Sequence, residues 1–245
     1  MPRILTYNVH RCIGPDRRLD VGRVAEVIAA EAPDVVVLQE VDVGRARTGG
    51  VDQAHRLAQR LNMGHRFNAA LTVEEELYGD AILTALPERL IKAGPLPGYA
   101  RIPQLEPRGA LWVAIEISPG AELQVINTHL GLVPREQQFQ AAALAGEKWL
   151  GDPRRRDPLM LVGDLNATSA TVAYRTIAAR LKDAHGLTRR RGRIATFPSS
   201  MPVLRIDHVF VSADVRIQAM AISTTPLARQ ASDHLPLIVD FELAV

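Results

Sequence analysis

Short apolar runs alternate along the chain with amphipathic stretches of helical period, a pattern typical of α/β proteins. One helix is predicted after Asp20, a good N-terminal cap, because Val21, Val24, Val27 and Ile28 would share one face. Further helices are predicted over residues 51–61, 134–150 and about 169–181.

Nine apolar runs are predicted to be strands, which is more than one sheet usually holds. They cover residues 4–9, 35–41, 81–86, 110–117, 123–130, 159–162, 206–211, 215–222 and 235–241. The short turn at 118–120 implies a hairpin and therefore some antiparallel pairing. Residues 93–109 contain four prolines and are predicted to form a surface loop. The pattern predicts one domain over residues 1–245, with two packed mixed sheets and helices outside them.

Eight polar residues border these apolar runs. Those that follow a run are Asn8, Glu40, His129, Asp164 and Asn166, and those that precede one are Asp207, Asp233 and His234. If the two runs that come after Asp207 and after His234 are antiparallel to the other runs, all eight residues lie at the same sheet edge. A crevice at strand ends is the usual ligand site of α/β folds.

The chemistry of this set favours a hard divalent cation. Several carboxylates at one edge repel one another unless a cation neutralises them, and oxygen-rich sites suit Mg²⁺ or Mn²⁺. The chain has neither HExxH nor CxxC, which argues against zinc. Taken singly, Asn8 could be a turn former and His129 a core histidine. Their joint placement predicts a metal site, and Mg²⁺ commonly accompanies phosphate.

Composition excludes the disordered, collagen-like and disulfide-scaffold classes. The 245 residues are 47% apolar and 23% charged, with a net charge of +2 and a single cysteine, Cys12. No run reaches the roughly 18 apolar residues of a spanning helix, and no signal peptide is recognised, so a cytoplasmic protein is expected. Arginine clusters at 154–156 and 189–193 could contact a nucleic acid or a lipid surface, or simply be solvated loop charge.

Seven short motifs, in order, resemble the endonuclease/exonuclease/phosphatase superfamily. They are TYNV (6–9), LQE (38–40), GDAILT (79–84), NTHL (127–130), GDLNA (163–167), RIDHVFVS (205–212) and SDHLP (232–236). The resemblance covers nearly the whole chain. It implies a four-layered α/β sandwich and metal-dependent hydrolysis of phosphoesters.

The resemblance also implies roles for individual residues. Glu40 is the expected Mg²⁺ (or Mn²⁺) ligand, with Asn8 beside it and Asp233 near the metal. Asp164 and Asn166 are expected to orient the attacking water and the phosphoryl oxygens. His234 is the expected general base, oriented by Asp207, and His129 is expected to contact the scissile phosphate or assist the leaving group. Arg11 and Arg108 could bind a phosphate oxygen. The resemblance leads us to expect Asn where Asp80 stands, so Asp80 adds a carboxylate to the edge.

Three functions remain open from the sequence. The first is a small phosphodiesterase or phosphatase, acting on a soluble phosphoester or a phospholipid headgroup, which would allow peripheral membrane contact. The second is a nuclease, supported by the arginine clusters but not by the near-neutral net charge or the low aromatic content of 4%. The third is a noncatalytic binding module of the same fold. The sequence indicates no protein partner.

Overall fold

A computed structural model describes residues 1–188 and 194–244 of the chain. Within these ranges, the strands are β1 (Arg3–Asn8), β2 (Val35–Val43), β3 (Gly64–Val73), β4 (Glu76–Thr84), β5 (Glu88–Pro95), β6 (Gly109–Ser118), β7 (Ala121–His129), β8 (Leu159–Asp164), β9 (Lys182–Asp183), β10 (Asp207–Val211), β11 (Val215–Ile222) and β12 (Leu237–Leu243). The α-helices are α1 (Val21–Glu31), α2 (Gln53–Leu61), α3 (Pro134–Ala145), α4 (Val172–Ala178), α5 (Ala184–Leu187) and α6 (Pro226–Ala231).

The strands form two six-stranded mixed sheets. The first has the order β11-β12-β1-β2-β4-β3 and the second the order β5-β6-β7-β8-β10-β9. The pairs β1–β2 and β7–β8 are parallel, whereas β12 is antiparallel to β1 and β10 is antiparallel to β8. These directions are the ones needed to bring the polar strand ends to one edge.

Three apolar clusters separate four layers. Side chains alternate between the two faces of each strand, so Ile4 lies between the sheets while Leu5 packs under the helices of the first sheet. Trp112 of the second sheet packs with residues of α3 and α4 on its own outer face. The order helix, sheet, sheet, helix confirms the predicted α/β sandwich.

The helices start and stop at recognisable signals. Oδ1 of Asp20 accepts from the backbone N–H of Arg23 at 2.9 Å and caps α1, as expected. The prediction that the third helix extends to residue 150 is wrong, because α3 ends at Ala145, before Gly146, and the chain then turns back to bury Trp149 and Leu150.

The pattern missed β3 and β5 because both lie at sheet edges and are only partly buried. Edge strands need no continuous apolar run, so their signal in the sequence is weak. The predicted loop at 93–109 is therefore partly wrong, since β5 continues to Pro95. The helix predicted at 169–181 is shorter, Val172–Ala178, and the last strand starts at Leu237 instead of residue 235.

The first arginine cluster is neutralised within the fold. Arg154 pairs with Asp152 at 2.8 Å and Arg155 with Asp157 at 2.9 Å, while Arg156 donates to backbone carbonyls. This segment precedes β8, so it lies at the opposite end of that strand from Asp164. The second cluster, residues 189–193, lies outside the described residues. In the described part of the chain, no helix combines the length and apolar character needed to cross a membrane.

Candidate active site

A β-bulge in β2 positions Glu40. The pairing of β2 with β4 jumps from Leu38↔Ala81 to Val41↔Gly79, so Gln39 and Glu40 together face one residue, Asp80. Glu40 has a φ of 58°, a left-handed conformation that non-glycine residues seldom adopt. Regular alternation would place Gln39 and Glu40 on opposite faces of the sheet. The bulge instead turns the Glu40 carboxylate towards the end of β1.

Asn8 links the two sheets at the site. Its Nδ2 donates to Oε1 of Glu40 and to Oδ2 of Asp164, both at 3.0 Å. Its Oδ1 accepts from the backbone N–H of His10, which fixes the orientation of the amide. Asn8 therefore presents its donor side to the two carboxylates and holds them close together.

Asp164 lies at the tightly packed end of β8. The preceding residue, Gly163, has a φ of 143°, and a Cβ there would lie 1.9 Å from the carbonyl oxygen of Thr128. Only glycine fits at this position. Oδ1 of Asp164 accepts from the backbone N–H of Asn166 at 2.7 Å, and Asn166 itself has a positive φ of 48°. The GDLN segment is therefore a turn built to aim both side chains at the crevice.

His234 is held by Asp207 from the other sheet. Nδ1 of His234 lies 2.9 Å from Oδ2 of Asp207, and Nε2 lies 3.6 Å from Oδ2 of Asp164. Asp207 directly faces Asp164 in the β10–β8 pair. Its Oδ2 also accepts from the hydroxyl of Thr196. The hydroxyl of Ser232 donates to the carbonyl of Asn8 at 2.7 Å and anchors the segment before β12.

His129 approaches Asp164 from the other side. Its Nε2 lies 3.6 Å from the same oxygen, Oδ2 of Asp164, and 2.9 Å from Nδ2 of Asn166. Its Nδ1 lies 3.2 Å from a guanidinium nitrogen of Arg108. Because Arg108 and the Asn166 amide nitrogen can only donate, an imidazolium here would face two donors. The contacts therefore favour a neutral His129.

Burial and neighbouring charges shift the pKa values of these groups in different directions. Burial, Arg108 and His234 hold the pKa of His129 well below its ordinary value. Burial raises the pKa of Asp164, and Asp207 adds to this. Burial opposes the charge on His234, but the attraction of Asp207 and Asp164 outweighs it and raises the pKa of His234. The neighbouring carboxylates therefore favour the protonated form of His234, and burial disfavours the charged form of Asp164.

Asp80 is a further buried acid beside this cluster. Burial raises its pKa well above the ordinary value; Arg108 opposes this shift, and Glu40 and Asp164 reinforce it. The side chain is 2% exposed, and none of the described residues donates a hydrogen bond to its carboxylate. Where the sequence resemblance leads us to expect an uncharged Asn, this chain carries an acid whose charged form is disfavoured by burial.

Arginines form one side of the crevice. Arg108 is 7% exposed and forms an ion pair with Glu106 at 2.7 Å. Arg11 follows His10 in a turn of three left-handed residues, with φ of 44°, 57° and 58° at His10, Arg11 and Cys12. A guanidinium nitrogen of Arg11 lies 2.6 Å from Nε2 of His10, and none of the described carboxylates lies within 4.0 Å of it.

The crevice has a volume of about 300 Å³. It is lined by Arg11, Glu40, Arg47, Tyr78, Glu106, Arg108, His129, Leu132, Asp164, Asn166, Phe197, Asp233 and His234. Asn8 and Asp207 lie behind these side chains, fully buried. The carboxylate of Asp233 is half-exposed at the rim, 3.8 Å from His10. A larger depression of about 430 Å³ around Met1, Asp34 and Leu243 contains none of the predicted site residues.

Sequence reasoning missed five residues that line the crevice, namely Arg47, Tyr78, Glu106, Leu132 and Phe197. Arg47, Tyr78, Glu106 and Phe197 come from the middle of long segments and not from the ends of predicted strands. Arg47 pairs with the buried Asp42 at 2.7 Å and lies over the Tyr78 ring, and Phe197 packs on His234 with ring centroids 4.9 Å apart. No local pattern marked them, because the positions of Arg47, Glu106 and Phe197 depend on how loops fold over the sheet edge, and Tyr78 lies in the part of β4 that the apolar pattern did not predict.

The donor set suits a hard divalent cation. Asp164, Asp207 and His234 offer atoms that lie within 4.8 Å of one another, and Glu40 joins Asp164 through Asn8. Oδ1 of Asp207 is buried and lacks a hydrogen-bond partner among the described residues. Since Nδ1 of His234 is engaged by Asp207, we regard Glu40 and Asp164 as the better cation ligands. Carboxylate oxygens are what Mg²⁺ and Mn²⁺ prefer.

Comparison with known proteins identifies the family. The model of the endonuclease/exonuclease/phosphatase family matches residues 5–234. The chain belongs to this family. Its members are typically hydrolases that act on phosphoesters and generally depend on divalent metals. This confirms the resemblance that the seven motifs indicated.

Individual relatives match nearly the full length of the chain. The chain is 28% identical to the uncharacterized protein YbhP of Escherichia coli K12, over 98% of this chain and 96% of YbhP. A family protein from Beutenbergia cavernae has a TM-score of 0.77 and 25% identity, covering 99% of this chain and 71% of that one. The mannosyl-6-phosphatase Bt3783 of Bacteroides thetaiotaomicron has a TM-score of 0.78 and 19% identity, covering 99% and 100%. The last likeness concerns the fold alone.

Proposed function

We propose that this protein is a Mg²⁺-dependent (or Mn²⁺-dependent) phosphodiesterase or phosphatase that hydrolyses its substrate by direct attack of water on phosphorus. The observation that carries the proposal is the convergence of two imidazoles on one carboxylate oxygen. Nε2 of His129 and Nε2 of His234 each lie 3.6 Å from Oδ2 of Asp164. Phosphoryl transfer needs an aligned nucleophile and stabilised phosphoryl oxygens, and this arrangement frames the space for both.

Glu40 and Asp164 would hold the cation, with Asp233 near it at the rim. A bound Mg²⁺ would neutralise charge on the phosphoryl oxygens. Asn8 was predicted beside the metal, and its two hydrogen bonds support a role in orienting the carboxylates.

The remaining polar groups would position water and phosphate. Nε2 of His234 faces the crevice and can take the proton of the attacking water, while Asp207 fixes the ring through Nδ1. Asp164 is the alternative proton acceptor. Asn166 and a neutral His129 would contact phosphoryl oxygens or the leaving group. Positioning and charge stabilisation supply most of the rate enhancement in such sites.

Arg11 and Arg108 are proposed to bind the phosphate. The Nε of each is buried without a partner among the described residues, and both side chains line the crevice. Arg11 is the stronger candidate because none of the described acids neutralises it. A guanidinium in this state favours an anion that can accept two parallel hydrogen bonds, such as a phosphate group.

The geometry favours a small phosphoester or a lipid headgroup over DNA. Arg154 and Arg155 are paired with acids, Arg156 donates to backbone carbonyls, and the cluster lies away from the crevice, so it does not favour binding of a nucleic-acid backbone there. A crevice of about 300 Å³ suits a compact substrate. The nuclease remains the alternative that the test must address.

A substrate panel tests the proposal. Bis-p-nitrophenyl phosphate, p-nitrophenyl phosphate, plasmid DNA and phospholipid vesicles are each incubated with Mg²⁺, Mn²⁺ or EDTA. We expect metal-dependent hydrolysis of a small ester or lipid with the plasmid intact, and a loss of kcat on the order of 10³ in His234→Ala and Asp164→Asn. Salt-sensitive plasmid nicking would support a nuclease. Inactivity throughout would support a noncatalytic binding module.

A further inference from the structure

We propose that Asn127 is a positioning residue for the Glu40 carboxylate, although the two residues belong to different sheets. The inference rests on the proposed role of Glu40 as a cation ligand. Asn127 lies in β7, two residues before His129, and its side chain is fully buried between the sheets. An apolar cluster fills much of the space between the sheets, so a buried amide there needs a structural reason.

The amide nitrogen of Asn127 binds the bulge that carries Glu40. Nδ2 donates to the carbonyl of Leu38 at 2.8 Å and to the carbonyl of Ala81 at 2.9 Å. Leu38 and Ala81 are the last regular pair of β2 and β4 before their register shifts. A bulge leaves part of the strand ladder unpaired, and buried carbonyls require donors. Asn127 supplies two donors where the ladder is interrupted.

The amide oxygen of Asn127 binds the same strand. Oδ1 accepts from Nε2 of Gln39 at 2.9 Å, and that nitrogen also lies 3.2 Å from the hydroxyl of Thr6 in β1. Every hydrogen bond that the Asn127 side chain makes therefore goes to the first sheet. Gln39, Asn127 and Thr6 are each at most 1% exposed. The hydrogen bonds of Asn127 to Leu38, Gln39 and Ala81 therefore form a directional link between the two sheets, which we call the Asn127 clamp.

The clamp matters because the proposed ligands belong to different sheets. Glu40 lies in the first sheet, and Asp164 lies in β8, which is paired with β7 in the register Asn127↔Val162. Apolar contacts hold the two sheets together but are not directional, so they resist separation better than sliding. The three hydrogen bonds of Asn127 fix the bulge relative to β8. Asn8 bridges the two carboxylates directly, whereas Asn127 holds the backbone from which the Glu40 side chain extends, so its loss would loosen the position of Glu40 relative to Asp164.

The test measures Mn²⁺ binding by calorimetry in the wild-type protein and in Asn127→Asp. The variant is nearly isosteric and keeps an acceptor for Gln39, but it sets an oxygen against the carbonyls of Leu38 and Ala81. We expect Mn²⁺ affinity to fall at least about tenfold, as is usual when a partner behind a metal ligand is lost. Thr84→Val is the matched control, because it removes a partly buried hydrogen bond to the carbonyl of Asp34 at the far end of β4.

A second readout needs no metal. Hydrogen exchange at the amide of Val41, just after the bulge, should accelerate in Asn127→Asp and stay unchanged in Thr84→Val. If Asn127→Asp does not fold, Gln39→Met removes the bond to Oδ1 and should weaken Mn²⁺ binding about threefold. Unchanged Mn²⁺ affinity in a folded variant would overturn the inference. A wild-type protein that binds no Mn²⁺ would overturn the proposed metal site itself.

Discussion

Asp207 and His234 form a buried pair that joins the two sheets, with Nδ1 of His234 2.9 Å from Oδ2 of Asp207. Asp207 begins β10 in the second sheet, whereas His234 precedes β12 in the first. The contact orients the ring so that Nε2 faces Asp164 and the crevice. It also makes the charge state of His234 depend on Asp207, because burial alone would lower the pKa of His234 and the carboxylate reverses this.

The first prediction concerns the pH dependence of catalysis. The pKa of His234 is raised, so its neutral, basic form becomes populated only as the pH rises. We expect kcat to increase with pH on the acidic side of the profile. Asp207→Asn removes an attraction that raises this pKa, and should therefore move that limb to lower pH while reducing kcat at least about tenfold. Steady-state kinetics at saturating Mg²⁺ measure both changes.

Asp240→Asn is the control for this measurement, because Asp240 pairs with Arg3 at the opposite edge of the sheet, at 2.7 Å. Its pH profile should match the wild type. A wild-type profile that instead falls towards alkaline pH, with a descending limb that Asp207→Asn moves to lower pH, would show that His234 works protonated. Asp164 would then be the proton acceptor.

The second prediction concerns Arg11 and substrate binding. None of the described acids neutralises this guanidinium, so the substrate phosphate should be its partner. Arg11→Gln should raise KM roughly 10-fold to 100-fold with a smaller effect on kcat, which is the size expected for one lost charge-assisted hydrogen bond. Inhibition by inorganic phosphate should weaken in parallel. Arg17→Gln, an exposed substitution outside the crevice, should change neither, and an unaltered KM in Arg11→Gln would remove Arg11 from the site.

The third prediction concerns metal binding in the absence of substrate. Several buried or half-buried acids share the site, so a bound cation should stabilise the folded state. At a Mg²⁺ concentration 100 times the Kd, the gain is about 2.7 kcal/mol, or about 5 to 10 °C in Tm for a chain of this length. Glu40→Gln should abolish the shift, and Glu74→Gln, an exposed change outside the crevice, should preserve it. Thermal unfolding with Mg²⁺ and with EDTA measures the effect, and a full shift in Glu40→Gln would contradict the role of Glu40.

The residues at the strand ends of the site could be predicted from the apolar runs that precede them in the sequence. Asn8, His129 and Asp164 are the last residues of strands with apolar runs, so the sheet edge at which they lie can be predicted from the sequence alone. The orientation of Glu40 could not be read in this way. Strict alternation along β2 would place the Glu40 side chain on the face of the sheet opposite to Gln39. Only the bulge opposite Asp80 changes this orientation.

The residues from loops could not be predicted for a different reason. Arg47, Glu106 and Phe197 reach the crevice through tertiary folding of segments with no strand or helix period of their own. The same holds for the Asn127 clamp. Its partners are backbone carbonyls in the other sheet, and nothing in the sequence NTHL marks a bond to Leu38 or Ala81.

The fourth prediction concerns the stability of the fold in acid. His208 is fully buried, and its Nε2 lies 2.8 Å from the carbonyl of Ala167. Burial, with Arg205, lowers its pKa to about 4 from 6.5. The unfolded chain therefore binds a proton that the folded chain resists, so stability is complete above about pH 6.5 and declines as the pH falls towards 4. The loss attributable to this residue is about 3 kcal/mol.

His208→Gln separates this effect from simple loss of packing. The ring packs against Tyr174 and Phe210, with centroids 5.1 and 5.7 Å away, so the variant should be less stable than the wild type at pH 8. It should nevertheless lose less stability between pH 6.5 and 4, because glutamine does not titrate. Urea unfolding at several pH values measures both the stability at pH 8 and the stability lost between pH 6.5 and 4. His55→Gln is the surface control. An equally steep acid dependence in His208→Gln would assign the acid sensitivity to another group, with His129 the next to test, because burial also lowers its pKa.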